Sequence, residues 1–251
     1  MKRQLGCLVL LLVAGQCGAV ASPAVTGDIA WVTVLSRFVD DRGRVDFRGL
    51  ARDGHDLDAA VAGIAAVAPG NAAAAFPTLA ERLAFHVNAY NALAMEHVVR
   101  RGIPRHLSLL GRLGFFVLSS VTVGGRSMSL YDYENEVIRP LGDERVHFAL
   151  NCMSISCPRL PRTPFHAASL DQELDAAARG FFAETRNVQI DDVHHVVLLS
   201  SILSFYKSDF LAHAPSLVDY VNRYRAEQVP VGYRVEFIPY DWTINIQPGA
   251  P

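Results

Sequence analysis

Charge is scarce in this sequence, and neither sign dominates it. Asp, Glu, Lys and Arg supply 19% of 251 residues, with 23 basic against 25 acidic side chains and a net charge of −2 when histidine is neutral. A nucleic-acid or anionic-membrane surface needs a basic excess, and none is present. Internal repeats, low-complexity tracts and linkers are missing, as is a glycine-rich phosphate loop. Hydrophobic residues reach 51%. That fraction supports a substantial core and excludes disordered, collagen-like and coiled-coil chains.

Cysteine is also sparse, with four in the chain. Two of them, Cys7 and Cys17, fall in a stretch that reads as an export signal. Met1-Lys2-Arg3 is a positive start, Leu8 to Ala14 an apolar run, and Ala19-Val20-Ala21 a small-x-small site before Ser22. The run is too short to span about 30 Å of hydrocarbon. Gln16 is too large for the small residue that precedes a lipidated cysteine. Cleavage after Ala21 is therefore expected, giving a periplasmic or secreted protein of one domain, residues 22–251, with no later transmembrane segment. Loss of Lys2 and Arg3 lowers the basic count from 23 to 21 against 25 acidic residues, a net charge of −4. Cys152 and Cys157 remain, a disulfide candidate in an oxidising compartment. Zinc would need two further ligands from His147, His166, His194 and His195, which only folding could recruit. No metal or other cofactor is expected.

Asp28 to Val39, Leu57 to Val67 and a long stretch from Thr78 to about Arg101 read as helices. The last opens on a capping box, Thr78-Leu79-Ala80-Glu81, and closes at Gly102 with Pro104 beyond. Val45 to Phe47, Phe115 to Leu118 and Val121 to Val123 read as strands, the last turning through Gly124-Gly125 into Ser127 to Ser129. A short helix over Leu130 to Arg139 precedes a short buried strand, Val146 to Leu150. A helix from Ser169 to near Thr185 follows, then a hairpin of Val188 to Asp191 and Val196 to Leu199. Helices near Ile202–Leu211 and Leu217–Arg225 lead to a last strand, Val235 to Ile238. Strands and helices do not alternate regularly, so the expected class is α+β, with helices around a small mixed or antiparallel sheet.

Glu134 is the most informative single residue. At about 100° per residue it falls inside the apolar stripe of Leu130, Tyr133, Val137 and Ile138. A carboxylate there needs a donor or a cation, such as Arg139 or Arg145. His147 and the loop holding Cys152 and Cys157 form a second constellation. His147 is a candidate base or ion-pair partner for a cysteine, with Glu134 orienting its imidazole. The bland alternative is a satisfied core histidine beside a disulfide. Cys157 precedes Pro158, which has no N–H, whereas Met153 and Ser154 after Cys152 offer backbone donors to an oxyanion. Strand parity from His147 favours Cys157, but alternation ends where the strand does. Cys152 is thus the expected nucleophile and Cys157 its neighbour or resolving thiol. Asn88 and Asn91, in the middle of the long helix, either bind a neighbouring loop or line a pocket.

These segments resemble the DUF547 family. The resemblance is carried by Phe85-His86-Val87-Asn88-Ala89-Tyr90-Asn91-Ala92-Leu93, by Gly124-Gly125 with Ser129 to Arg139, and by His147-Phe148-Ala149-Leu150-Asn151-Cys152 through Ser156-Cys157-Pro158. Phe205-Tyr206 with Asp209-Phe210, and Tyr240-Asp241-Trp242 with Asn245, extend it towards the C-terminus. His86 stands where the family usually has Trp, and Asn135 where it often has His. The resemblance implies a mixed fold akin to papain-like and transglutaminase-like thiol enzymes, and it implies no particular substrate or cofactor. Two functions are expected to compete: an exported Cys-His-Glu thiol hydrolase or acyltransferase, and a non-catalytic binding domain closed by a Cys152–Cys157 disulfide. Either would take a small-molecule or peptide ligand.

Overall fold

The computed structural model describes residues 23–249; the expected signal, residues 1–21, lies outside them. The chain opens with helices α1 (Pro23–Phe38), α2 (Phe47–Arg52) and α3 (His55–Ala66). α1 crosses α3 at glycine, where a Cβ on Gly27 would lie 3.2 Å from the Gly63 Cα. Helix α4 (Leu79–Arg100) starts on the expected capping box: Thr78 Oγ1 accepts the Glu81 N–H at 3.2 Å, and Glu81 accepts the Thr78 N–H at 2.7 Å. From Ala89 to Val98 every residue of α4 is buried. A helix covered all round is a central one, and its polar residues need partners inside the protein.

Helix α5 (Leu109–Leu113) runs into a π-helical turn, Gly114–Leu118, and then a hairpin of β1 (Ser120–Val123) and β2 (Arg126–Ser129). Helix α6 (Leu130–Asp132) continues as a second π segment, Tyr133–Ile138. A 3-10 turn over Glu144–Phe148 and helix α7 (Leu170–Ala183) follow. Strands β3 (Val188–Asp191) and β4 (Val196–Ser200) pair antiparallel, and after α8 (Ile202–Phe205), α9 (Lys207–Leu211) and α10 (Leu217–Asn222), β5 (Arg234–Ile238) joins β4 in parallel. The architecture is α+β, with two small sheets among helices. Among the described residues no helix is long and apolar enough to cross a membrane.

Three expected strands are different structures. Phe115 to Leu118 is the π turn, because Ser108 caps α5 by accepting the Gly111 N–H at 3.1 Å and the coil simply continues. Val146 to Leu150 lies largely in the 3-10 turn, which Asp143 caps by accepting the Arg145 N–H at 3.0 Å. Arg145 is then pinned by Asp143, Asp171 and Asp175. Val45 makes only isolated bridges to Val39 and Ile246, and Phe47 already begins α2 behind the N-cap Asp46. Short apolar runs look alike as strand and as buried coil, and the caps decided between them.

Two apolar cores meet at the 3-10 turn. Val146, Ala149 and Leu150 pack into the core built on α1, α3 and α4, whereas Phe148 packs into that of α7, β4 and α8–α10. His147 therefore sits on the seam between them.

Candidate functional site

The cysteine loop is drawn together by Asn151, which is 1% exposed. Its side chain accepts the Met153 N–H at 2.7 Å and donates to the Pro158 carbonyl at 2.7 Å, so one amide clips both ends of the loop. Asn91 on α4 holds the clip in place. It accepts the Asn151 N–H at 2.7 Å and donates to the Ala149 carbonyl at 3.0 Å. Met153 is left-handed, with φ +66, a conformation that side chains rarely adopt and that surrounding contacts must enforce. The C-terminal segment supplies them: Met153 accepts the Asn245 N–H at 3.0 Å, and Thr243 accepts that of Ile155 at 2.8 Å.

Both cysteines are free thiols, and the clip brings their sulfurs to 2.8 Å. Cys157 is the better solvated by donors. Its Sγ receives the Cys152 N–H at 3.1 Å and lies 3.2 Å from both Ser154 Oγ and Tyr240 Oη. Burial pushes the Cys157 thiol up, but the donors Cys152, Ser154 and Tyr240 outweigh it and bring it below the usual thiol range. Cys152 moves the other way, raised first by its hydrogen bond to Cys157 and then by burial. Tyr240 is pushed well up, by burial and then by the two sulfurs, so its hydroxyl stays a donor. The negative charge therefore belongs on Cys157, opposite to the expectation from backbone donors. One of those donors is already used, since the Met153 N–H is bound to Asn151.

His147 is held by Asp209 rather than by Glu134. Its Nε2 lies 2.9 Å from Asp209 Oδ2, and Arg139 grips the same carboxylate through Nε at 2.8 Å and Nη2 at 2.7 Å. His147, and then Arg139, keep the Asp209 carboxyl well below the usual carboxylate range. An ionised carboxylate can only accept, so Nε2 of His147 carries the proton that faces Asp209. Its Nδ1 is buried, and among the described residues it has no partner. The ring stacks on Tyr206 with centroids 3.8 Å apart. Glu134 is buried as the stripe predicts, but its partners are the hydroxyls of Tyr90 and Tyr206. Burial and then the Glu134 charge push both tyrosines up, which keeps them as donors. The expected partners are engaged elsewhere: Arg139 with Asp209, Arg145 with its three aspartates.

A cavity of about 540 Å³ is lined by Glu134, His147, Cys152, Cys157 and Tyr240 together. Glu134 and Asn135 come from the second π segment and Phe116 and Val117 from the first, so both stretches of widened helix face it. Asn88 is apart from it and binds the Phe165 backbone in both directions, at 2.8 and 2.9 Å. Asp209 and Tyr240 are the site residues that motif reading did not single out. Both stand in the C-terminal part of the resemblance, which is where a signal for them lay. Among the described residues no three His, Cys, Asp or Glu side chains gather into a metal-binding group.

Residues 77–182 match the family described as "Protein of unknown function, DUF547". These residues are a DUF547 segment. The DUF547 match contains Asn91, Glu134, His147 and both cysteines. Tyr206 and Tyr240, which line the cavity, and Asp209, which holds His147, lie C-terminal to it. No curated protein and no solved structure shows a significant match to the chain.

Proposed function

We propose that this DUF547 protein is an exported thiol hydrolase or acyltransferase with Cys157 as its nucleophile. The observation that carries the reading is the donor set on Cys157 Sγ, in a cavity shared with an Asp209-bound His147. The Cys157 thiolate attacks an acyl carbonyl, and a C–S bond forms as the leaving group departs with a proton from solvent. Water or an acceptor nucleophile then gives a proton to His147 Nδ1 and attacks the thioester. The C–S bond breaks, the thiolate returns, Asp209 stabilises the imidazolium through Nε2, and the imidazolium then gives its Nδ1 proton back to solvent. The suspected kinship with papain-like and transglutaminase-like enzymes belongs to this proposal. A disulfide-closed binding domain is the second reading, favoured by the approach of the two sulfurs.

Iodoacetamide on the reduced protein separates these readings. Cys157 should be labelled first, from a pH below the usual thiol range near 8.5, and Tyr240→Phe should move that profile upward. Hydrolysis of an activated acyl ester should disappear in Cys157→Ser. Faster labelling of Cys152 reverses the assignment. Two unreactive sulfurs, with an intact mass two hydrogens short before reduction, support the binding domain. Export is checked by the mass of the secreted chain, which should begin at Ser22; a mature protein retaining Cys7 contradicts it.

A further inference from the structure

Among the described residues, every charged group on the thiol cavity but one has a hydrogen-bonding or ionic partner for its side chain. Glu134 is held by Tyr90 and Tyr206, and Arg139 and His147 by Asp209. Arg112 also lines the cavity, from the last turn of α5. Among the described residues no carboxylate pairs with it, and its Nε is buried without a hydrogen-bond partner. Its guanidinium carbon lies 4.7 Å over the Trp242 ring, which holds the plane in place. A desolvated guanidinium donor without an acceptor is costly, and its fork fits a carboxylate or phosphate.

This guanidinium is linked to the thiols by a short run of aromatic contacts. Trp242 and Tyr240 have ring centroids 4.4 Å apart, and Tyr240 Oη is 3.2 Å from Cys157 Sγ. Phe116 meets Trp242 edge-on with ring centroids 6.0 Å apart, while Leu113 and Val117 add further apolar lining from the same segment. A cavity with an apolar wall, a guanidinium that no carboxylate meets among the described residues and a cysteine sulfur suits a ligand with three matching parts. We propose that it binds an acyl substrate with an apolar body and an anionic group, a carboxylate or a phosphate monoester, received by Arg112. The reactive end of this proposal rests on the Cys157 reading above; the anion site stands on Arg112.

Two measurements on the reduced full chain keep the two ideas apart. The first is calorimetric binding of hexanoate, hexyl phosphate and hexanol. At least one anion should bind about tenfold more tightly than hexanol. Arg112→Gln should erase that preference and Arg112→Lys should keep part of it. The tighter of the two anions assigns the headgroup class. Equal binding of anions and hexanol, or a preference that survives Arg112→Gln, overturns the proposal. The second is the labelling of Cys157 by maleimidohexanoate and by hexylmaleimide. The thiolate sulfur adds to the maleimide double bond, and the resulting enolate takes a proton from solvent. The anionic-to-neutral rate ratio should fall about tenfold in Arg112→Gln, and an unchanged ratio counts against the anion site. If neither reagent labels a cysteine, the thiol reading falls and calorimetry alone decides the anion site.

Discussion

Glu134 shows how one residue can be legible in place and illegible in partnership. Its position on an apolar stripe dictates burial, and burial demands donors, but nothing local says which. Packing answers with two tyrosine hydroxyls, one from α4 and one from the turn between α8 and α9. Glu134→Ala strands both hydroxyls and should cost about 2 to 4 kcal/mol in urea unfolding. Glu134→Gln keeps an acceptor and should cost less. A change within about 0.5 kcal/mol for the alanine variant, as at ordinary surface sites, would contradict the buried pairing. His147 repeats the lesson, since its carboxylate is 62 residues away at Asp209.

At the scale of elements, capping carried more information than hydropathy. The Thr78–Glu81 box correctly starts α4, and Gly124 and Gly125, with φ +55 and +78, make the expected hairpin turn. The apolar runs at 115–118 and 146–150 were ambiguous until Ser108 and Asp143 committed them to coils. This overturned the parity argument for choosing a cysteine, because His147 is on no strand. The cysteine loop depends instead on the Asn151 clip. Asn151→Ala leaves the buried Met153 N–H and Pro158 carbonyl unpaired and should cost about 2 kcal/mol. It should also slow formation of the Cys152–Cys157 disulfide in a glutathione buffer. An unaltered oxidation rate would mean that another contact sets the approach of the sulfurs.

Across the whole molecule, stability should fall on the acid side. His86, buried on α4, is hydrogen-bonded through Nδ1 to the Tyr133 hydroxyl at 2.8 Å. Burial lowers its pKa to about 4, whereas the unfolded chain takes the proton near 6.5. Between these values the unfolded state binds more protons, so stability is level above the window and drops as pH falls through it. His86→Trp, which removes the titrating ring, should flatten that part of the unfolding profile. A slope unchanged by the substitution would place the acid sensitivity elsewhere. Asp209, with its lowered carboxyl, adds a loss that begins in the ordinary carboxylate range, where the unfolded chain takes the proton, and continues below it.

By itself the sequence determined the α+β class, the central helix with its cap, the hairpins and the burial of Glu134. It also singled out the two cysteines that share a cavity with His147. These follow from periodicity, capping and turn chemistry, which act over a few residues. Tertiary structure decided which carboxylate meets His147, which cysteine carries the charge and which arginine lines the cavity with no carboxylate paired to it among the described residues. Arg139 finds Asp209 across 70 residues, and Cys157 finds Tyr240 across 83. Contacts at that range exist only once the two cores have packed and the C-terminal segment has closed over the cysteine loop.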